Sequence, residues 1–553
     1  MKRDKTHTYR KLLHGIATVT MAAALTHTLI AQNPPAPIPP YSVCSQNVNT
    51  LSLLPPLPGG TPNPMEDGDV QFENALIDNT ESALLRDVPT ASSLDLAHQV
   101  QLLGKLFIYD KTLSPFGNIA CATCHASRAG FTGGTSIFNA TTVAQPGGVP
   151  ILNATAPGPN IRYGPHKPQS YAYASFAPIL HYNAAVADFY GGNFWDMRAT
   201  GIRLANPAAE QAQGPPVNPV EMGNPDTACV VWKASQGGYA SLVQLVGGPQ
   251  SFAINWPSNV ATVCATPGPP PASDPFPVHL SAQDRGTSNA TYDHLTLAVA
   301  SYESSAEVSP FSSKFDAWLA GNAQLSASEQ RGYDLFNGKA KCNQCHLSGN
   351  AINSTGLAAA DVAPLFTDFT SANTGVPKNL AIPYYCESKA DQNGYTANPL
   401  GLAFSDLGVG AMLSGPNNPN PLQWSGLAPL YNGKFQVPTL RNVDLRPRAD
   451  FIKAYMHNGY LKSPAEVVHF YNTSQALPRC AQGSPGEKVS CWPPPETPAN
   501  VSTLIGNLGL SAQEESDIVA FLQTLSDRYV TMPAAPLDSH AEPEAPATHR
   551  NPN

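Results

Sequence analysis

The chain has 553 residues, with 31 Lys and Arg against 40 Asp and Glu and a formal charge of −9 at pH 7. That acidic balance argues against a nucleic-acid binder, which needs basic patches to displace counterions. Hydrophobic residues make up 42%, which excludes wholesale disorder, while 55 prolines signal much irregular chain.

Residues 1–31 read as an export signal. Lys2, Arg3, Lys5, Arg10 and Lys11 precede an uncharged stretch from Leu12 to Ala31, with cleavage expected near Ala31. An uncleaved anchor is the rival reading, weakened by His14, Gly15 and His27. Beyond this stretch no apolar run approaches the roughly 20 residues that span a bilayer, so no membrane span is expected after cleavage. Export opens an oxidising compartment, where spare cysteines pair. Residues 32–88 read as a proline-rich linker or arm. Leu96, Val100, Leu103 and Phe107 then fall on one face of a helix. Stretches rich in Gly, Pro, Asn and Ser at about 131–165, 265–288 and 350–430 read as loop insertions. Ser326 with Glu329, and Ser511 with Glu514, form capping boxes that start two further helices. Residues 531–553 form a polar tail, expected to be disordered. Long alternating strand patterns are scarce, so the class is mainly α with long irregular loop insertions. One pattern occurs twice: LLGKLFIYD precedes Cys121, and QRGYDLFNGKAK precedes Cys342. The duplication suggests two related domains, 89–305 and 306–530.

Both copies lead into the same pentapeptide form, Cys121-Ala-Thr-Cys124-His125 and Cys342-Asn-Gln-Cys345-His346. C-x-x-C-H reads as covalent c-type haem attachment. Two thiols reach the two vinyl groups of one porphyrin edge as thioethers, and the next residue, His, falls under the iron. A zinc ribbon would set its two C-x-x-C units roughly 15–20 residues apart, and these are far more distant. A redox dithiol would need a βαβ setting that the sequence does not offer. Two covalent haems, with His125 and His346 as iron ligands, are therefore expected. Haem is attached outside the cytoplasm, in agreement with the leader.

The chain at this point resembles the bacterial di-haem cytochrome c peroxidase and MauG family, over roughly residues 90 to 530. The segments that carry the resemblance are LGKLFIYDKTLSPFGNIACATCH, FWDMRA, QAQGPPVNPVEMG, FDAWLAG, RGYDLFNGKAKCNQCH, VPTLRNV, YMHNGYLKSPAEVVHFYN and LSAQEESDIVAFLQTLSD. It implies two cytochrome c-like haem domains: an N-terminal one where peroxide reacts and a C-terminal one that passes electrons. Gln211 and Glu221 match the Gln and Glu that line the family's peroxide pocket, with Glu221 moving a proton between the peroxide oxygens and Gln211 orienting them. Trp195 matches the tryptophan placed between the two haems, and an insertion, TGIRLANPAAE, follows its motif. Some resting peroxidases carry a distal His on the first haem. The nearest here, His166, stands too close to Ser170 for that ligand and reads as a loop histidine. Pro215 falls where MauG-like proteins also place a proline, which implies an open peroxide site needing no reductive activation.

The second haem's distal ligand separates the subtypes. The peroxidases supply Met and MauG-like proteins Tyr, and in SPAEVVHFY the position is Tyr471. A phenolate stabilises ferric and higher iron states, whereas a thioether raises the potential. Met456 is the rival, read as core packing; His457 and His469 are further rivals, read as hydrogen-bonding or surface histidines. The resemblance also implies a calcium ion shared between the domains and held by carbonyl and Asn oxygens. Its T-x-P pattern is missing where the chain reads LRPRADFIKAYMHNG, and no ligands are assigned. Of the remaining cysteines, Cys480 with Cys491, Cys229 with Cys264 and Cys44 with Cys386 are the suggested pairs, among 15 connectivities that six thiols allow. The expected function is that of a periplasmic or otherwise exported di-haem peroxidase, reducing hydrogen peroxide at the N-terminal haem with electrons passed through Trp195 and the C-terminal haem. Its donor would be a small redox protein (a cytochrome c or cupredoxin) or an oxidisable substrate. The alternatives are a MauG-like oxidase that modifies a partner protein or organic substrate, and a non-enzymatic electron-transfer cytochrome.

Overall fold

Asp95 starts the helix Leu96–Tyr109 by accepting a hydrogen bond from His98 N. Leu103 and Phe107 are fully buried, as the period requires, and Val100 packs against the same core. Leu96, at the first helical position, is 63% exposed and departs from the expected face. The helix crosses Ala282–Glu303 at Gly104, where an added Cβ would lie 2.0 Å from Ala298 O. The second copy uses the same device. In Ala327–Asn337, an added Cβ on Gly332 would lie 1.9 Å from Asp517 O of the helix Ala512–Gln523. Each helix that precedes a C-x-x-C-H motif thus meets its partner helix backbone to backbone through a glycine inside the duplicated pattern.

The computed structural model describes residues 68–143, 162–349, 363–391 and 393–529. The leader, most of the proline-rich arm, Cys44 and the C-terminal tail lie outside the described residues. The described chain is mostly helical with little sheet. Two antiparallel pairs occur: His181–Asn183 with Asp188–Tyr190, which sets Tyr182 opposite Phe189, and Ser371–Ala372 with Phe435–Gln436. One apolar core gathers Leu103, Leu106, Phe107, Leu295, Val299 and Tyr302. A second gathers Phe315, Phe336, Phe366, Ile518, Phe521 and Leu522. No described helix is long and apolar enough to cross a membrane.

Both capping boxes form as read, with Ser326 accepting from Glu329 N and Ser511 from Glu514 N. Several readings of irregular chain need correction. Gly68–Leu85, read as part of the arm, is an 18-residue helix that buries Ile77 and Leu84 in the first core, and Ser136–Ala140 is a short helix within 131–165. Residues 282–288 are helical, because Ser281 caps Asp284 in the same way and starts the 22-residue helix Ala282–Glu303. Within 350–430, short helices form at Val409–Ser414, Pro421–Trp424 and Ala428–Tyr431, packing Met412, Leu413, Trp424 and Tyr431 on Phe189 and Met197. Cys229 is bonded to Cys264 and Cys480 to Cys491, and Cys386 is also disulfide-bonded.

Arg441 joins residues of the two cores. Its guanidinium is fully buried, contacts both carboxylate oxygens of Asp316 at 2.8 and 2.9 Å, donates to Pro364 O, and lies over the rings of Phe311 and Tyr173. Burial opposes ionisation of Asp316, but the Arg441 contact outweighs it and holds the carboxyl below its ordinary value. The stabilisation is therefore complete above the ordinary carboxylate pKa and is lost as acid protonates Asp316. Removing one partner strands the other charge in the core, so Arg441→Ala is expected to cost about 3–5 kcal/mol in denaturant unfolding of the holoprotein. A loss below about 1 kcal/mol, the range of an exposed pair, would show the pair to be solvated.

Candidate haem sites

Cys121–Cys124 is a single helical turn, closed by Ala120 N donating to Thr123 Oγ1 and by His125 N donating to Cys121 O. The His125 ring then meets Phe131 O through Nδ1 at 3.1 Å. A carbonyl only accepts, so Nδ1 carries the proton and Nε2 keeps a free lone pair. His346 repeats the arrangement, with Nδ1 on Phe366 O at 2.9 Å. Burial pulls both imidazoles down to about 4, so both are neutral at pH 7, as metal ligands must be. The four motif thiols are unpaired, while Cys229, Cys264, Cys386, Cys480 and Cys491 are all in disulfides. Burial also raises these four thiols, to about 12 for Cys121, Cys124 and Cys342 and about 11 for Cys345. Each motif lines its own cavity. Two free thiols and one neutral imidazole with its second nitrogen anchored, all facing a cavity, fit a thioether-linked haem at each site.

The first cavity is lined by Cys121, Cys124 and His125 together with Gln211, Glu221 and Pro215. Asn206 caps the helix Pro207–Ala212 that carries Gln211. A tight turn follows, with Met222 N on Pro215 O, and brings Glu221 to the same wall. Glu221 Oε1 accepts from Asn218 Nδ2. Burial raises the Glu221 carboxyl, and although Arg198, Asn218 and His166 act in the opposite sense, the net shift is upward. The Gln211 amide makes no hydrogen bond to a described residue.

Trp195 lines both cavities. It is 8% exposed and its Nε1 donates to Lys167 O at 3.0 Å. The second cavity adds Tyr471 and Met456 to Cys342, Cys345 and His346. Ser463 caps the helix Pro464–Thr473 that carries Tyr471. Burial, then the charge of the Cys345 and Cys342 thiols, pushes the Tyr471 phenol up, and its hydroxyl has no hydrogen bond to a described residue. Of the rival ligands, His469 pairs with Glu515 and lines neither cavity. His457 is neither hydrogen-bonding through Nε2 nor at the surface, contrary to expectation. It is 5% exposed, stacks on Phe435 at 3.5 Å, and leaves Nε2 without a partner in the second cavity.

A profile of the di-haem cytochrome c peroxidase family matches residues 98–324. The chain is 26% identical over 452 residues to the methylamine utilization protein MauG of Paracoccus denitrificans, covering 80% of this chain and 93% of MauG. The diheme peroxidase BthA of Burkholderia thailandensis superposes with a TM-score of 0.51 at 25% identity, covering 79% of this chain and 88% of BthA. The chain resembles the di-haem cytochrome c peroxidase and MauG family in sequence and in fold. It is an oxidoreductase. A further relative, cytochrome-c peroxidase IdrP1 of Denitromonas iodatirespirans, is 29% identical over 262 residues, covering 46% of this chain and 53% of that protein.

Several groups at the first site escape sequence reading. Arg198 stacks its guanidinium on Phe194 at 3.8 Å and pairs with Asp196 at 2.9 Å, beside Glu221. Only the R of FWDMRA marked it. Glu303, buried in the same cavity wall, has its carboxyl pushed well up by burial. His166 lies in a loop, as read, and there it lines the first cavity with its Nε2 engaged by the Asp406 carboxylate. Burial lowers the His166 imidazole, but Asp406 outweighs it and the net shift is upward. A calcium ion fits poorly around LRPRADFIKAYMHNG, where the T-x-P pattern is missing. Ile452 O already accepts from Asn139 Nδ2 at 2.9 Å, and the Lys453 ammonium fills the neighbouring carbonyl cluster.

Proposed function

We propose that the chain is an exported di-haem peroxidase that reduces hydrogen peroxide at the His125 site, drawing electrons through Trp195 from the His346 site. Residues 89–305 and 306–530 would be its two cytochrome c-like haem domains, and the periplasm its compartment. The observation that carries the reading is the meeting of Gln211 and Glu221 with Cys121, Cys124 and His125 around one cavity. A carrier of electrons alone has no use for a buried carboxyl there.

When bound, the haem held by Cys121, Cys124 and His125 supplies the electrons that cleave the O–O bond. The protein handles the protons. Glu221 takes the proton from one peroxide oxygen and returns it to the other, which leaves as water. Asn218 holds Glu221 Oε1, so the other carboxylate oxygen is the one free to face peroxide. The Gln211 amide orients the substrate. In sum, one peroxide, two electrons and two protons give two waters.

Trp195→Phe is expected to lower donor-driven turnover about tenfold or more, equal to roughly 1.4 kcal/mol of barrier. A single turnover of the prereduced enzyme with peroxide should keep its rate at the His125 site. Unchanged steady-state turnover would remove Trp195 from the electron path. Tyr471 favours a second reading, a MauG-like oxidase that draws oxidising equivalents from a partner protein or organic substrate, because an anionic oxygen donor suits high iron oxidation states. The test is the ferric spectrum of the holoprotein titrated with peroxide. A high-spin component that peroxide changes supports an enzyme, and two inert low-spin haems refute it.

A further inference from the structure

Lys453 is 3% exposed, yet no carboxylate touches its ammonium. Its three protons meet three backbone carbonyls instead: Ala129 O at 2.9 Å, Leu445 O at 2.9 Å and Asn442 O at 3.1 Å. A cluster of neutral carbonyl oxygens closing on a buried positive charge is the donor set that a hard cation takes. The ammonium nitrogen occupies its centre, so a metal ion and Lys453 exclude each other there. Burial, with the positive charges of Lys167 and Arg446, pulls the ammonium down to about 7, and the Asp444 carboxylate acts against that.

The carbonyls come from two distant parts of the chain. Ala129 belongs to the turn directly after the first C-x-x-C-H motif, and Asn442 and Leu445 follow the VPTL of the C-terminal half. Gly130, at φ +74°, lets that turn close in, since an added Cβ would lie 3.0 Å from Asn442 O and 3.4 Å from Lys453 Nζ. The same turn supplies Phe131 O, the acceptor that fixes the His125 ring, and Phe131 N is itself bonded to Ala126 O at 2.8 Å. Lys453 also lines the second cavity. One ammonium therefore touches the support of the first axial histidine and the wall of the second site.

We propose that Lys453 is the built-in cation of this chain: it ties the turn that holds His125 to residues 442–445, in place of a divalent ion, so that the first haem site keeps its geometry without calcium. Lys453 is thus a positioning residue acting through His125. The inference rests on the reading of both motifs as haem-bearing.

The experiment starts by counting thioether haems on the full-length holoprotein by mass. Their absence defeats the functional reading itself and is distinguishable from everything below. Given two haems, metal analysis of the protein as purified should find substoichiometric calcium, and exhaustive dialysis against EGTA should leave the ferric spectrum and the thermal midpoint unchanged. Stoichiometric calcium, or a spectral change that added calcium reverses, overturns the proposal. Lys453→Ala should change the electron-paramagnetic signal that reports the His125 ligation, beyond any electrostatic shift at the His346 site whose cavity Lys453 lines, and lower peroxide turnover about tenfold or more. Methylammonium, which carries three N–H donors, should restore the signal, and tetramethylammonium, which carries none, should not. A His125 haem unaffected by the substitution also overturns the proposal. If the variant fails to mature, metal analysis and chelation of the native protein decide alone.

Discussion

Glu221→Gln is expected to slow peroxide turnover by about 10²- to 10⁴-fold, the range that a positioned general acid–base commands, or roughly 3–5 kcal/mol of barrier. Both haems should remain attached, because the Glu221 side chain is hydrogen-bonded to Asn218 and to neither motif. Gln preserves size and the contact to the Asn218 amide but has no proton to exchange. The direction of the pKa shift adds a second measurement. Burial raises the carboxyl, so its protonated form persists to a higher pH than that of a free glutamate, and only the ionised form can accept the peroxide proton. The acid limb of kcat/KM should therefore lie above the ordinary carboxylate range and vanish in the Gln variant. Arg198 and protonated His166 both oppose that upward shift, so Arg198→Leu should move the limb to still higher pH. Turnover that survives Glu221→Gln would take the carboxyl out of the reaction.

What the sequence disclosed and what it hid divide along the range of the interaction. The C-x-x-C-H motifs, the capping boxes and the disulfides Cys229–Cys264 and Cys480–Cys491 are set by chemistry within a few tens of residues, and each was legible. The helix from Ala282 carried the same kind of local signal, Ser281 with Asp284, but surrounding prolines and polar residues masked it. Gln211 and Glu221 were legible only because their spacing is a family pattern. The remaining groups depend on contacts that no local period records. Asp406 reaches His166 across 240 residues, and Lys453 reaches Ala129 across 324. His457 looked like any polar histidine until Phe435, from the short strand Phe435–Gln436, stacked over it. Composition alone would put a histidine at the surface and a lysine in water; tertiary packing reversed both.

Tyr471→Met is the exchange expected to move a redox potential furthest. In the folded chain the phenol stands without a hydrogen-bond partner among the described residues and is pushed up by burial, so nothing but a bound cation favours its ionised form. Ferric iron held at His346 would supply that charge, and an anionic oxygen from Tyr471 would in return stabilise the higher oxidation state. A neutral thioether favours ferrous iron instead. Axial ligands spread haem potentials over about 0.8 V, so the exchange should raise the potential of one haem by on the order of 0.1 V or more. The haem at His125 should keep its own value. Met456 shares the second cavity and provides the control: Met456→Leu should move neither potential, because a side chain that only packs donates no electrons to iron. A shift in the Leu variant with none in the Met variant would reassign the ligand to Met456. The consequence for function is directional. A higher potential at the His346 site makes it a better acceptor from a small redox protein, so Tyr471→Met should speed donor-driven peroxide reduction and weaken the oxidation of a partner. The opposite pair of outcomes would mean that the tyrosine serves the peroxidase reaction itself.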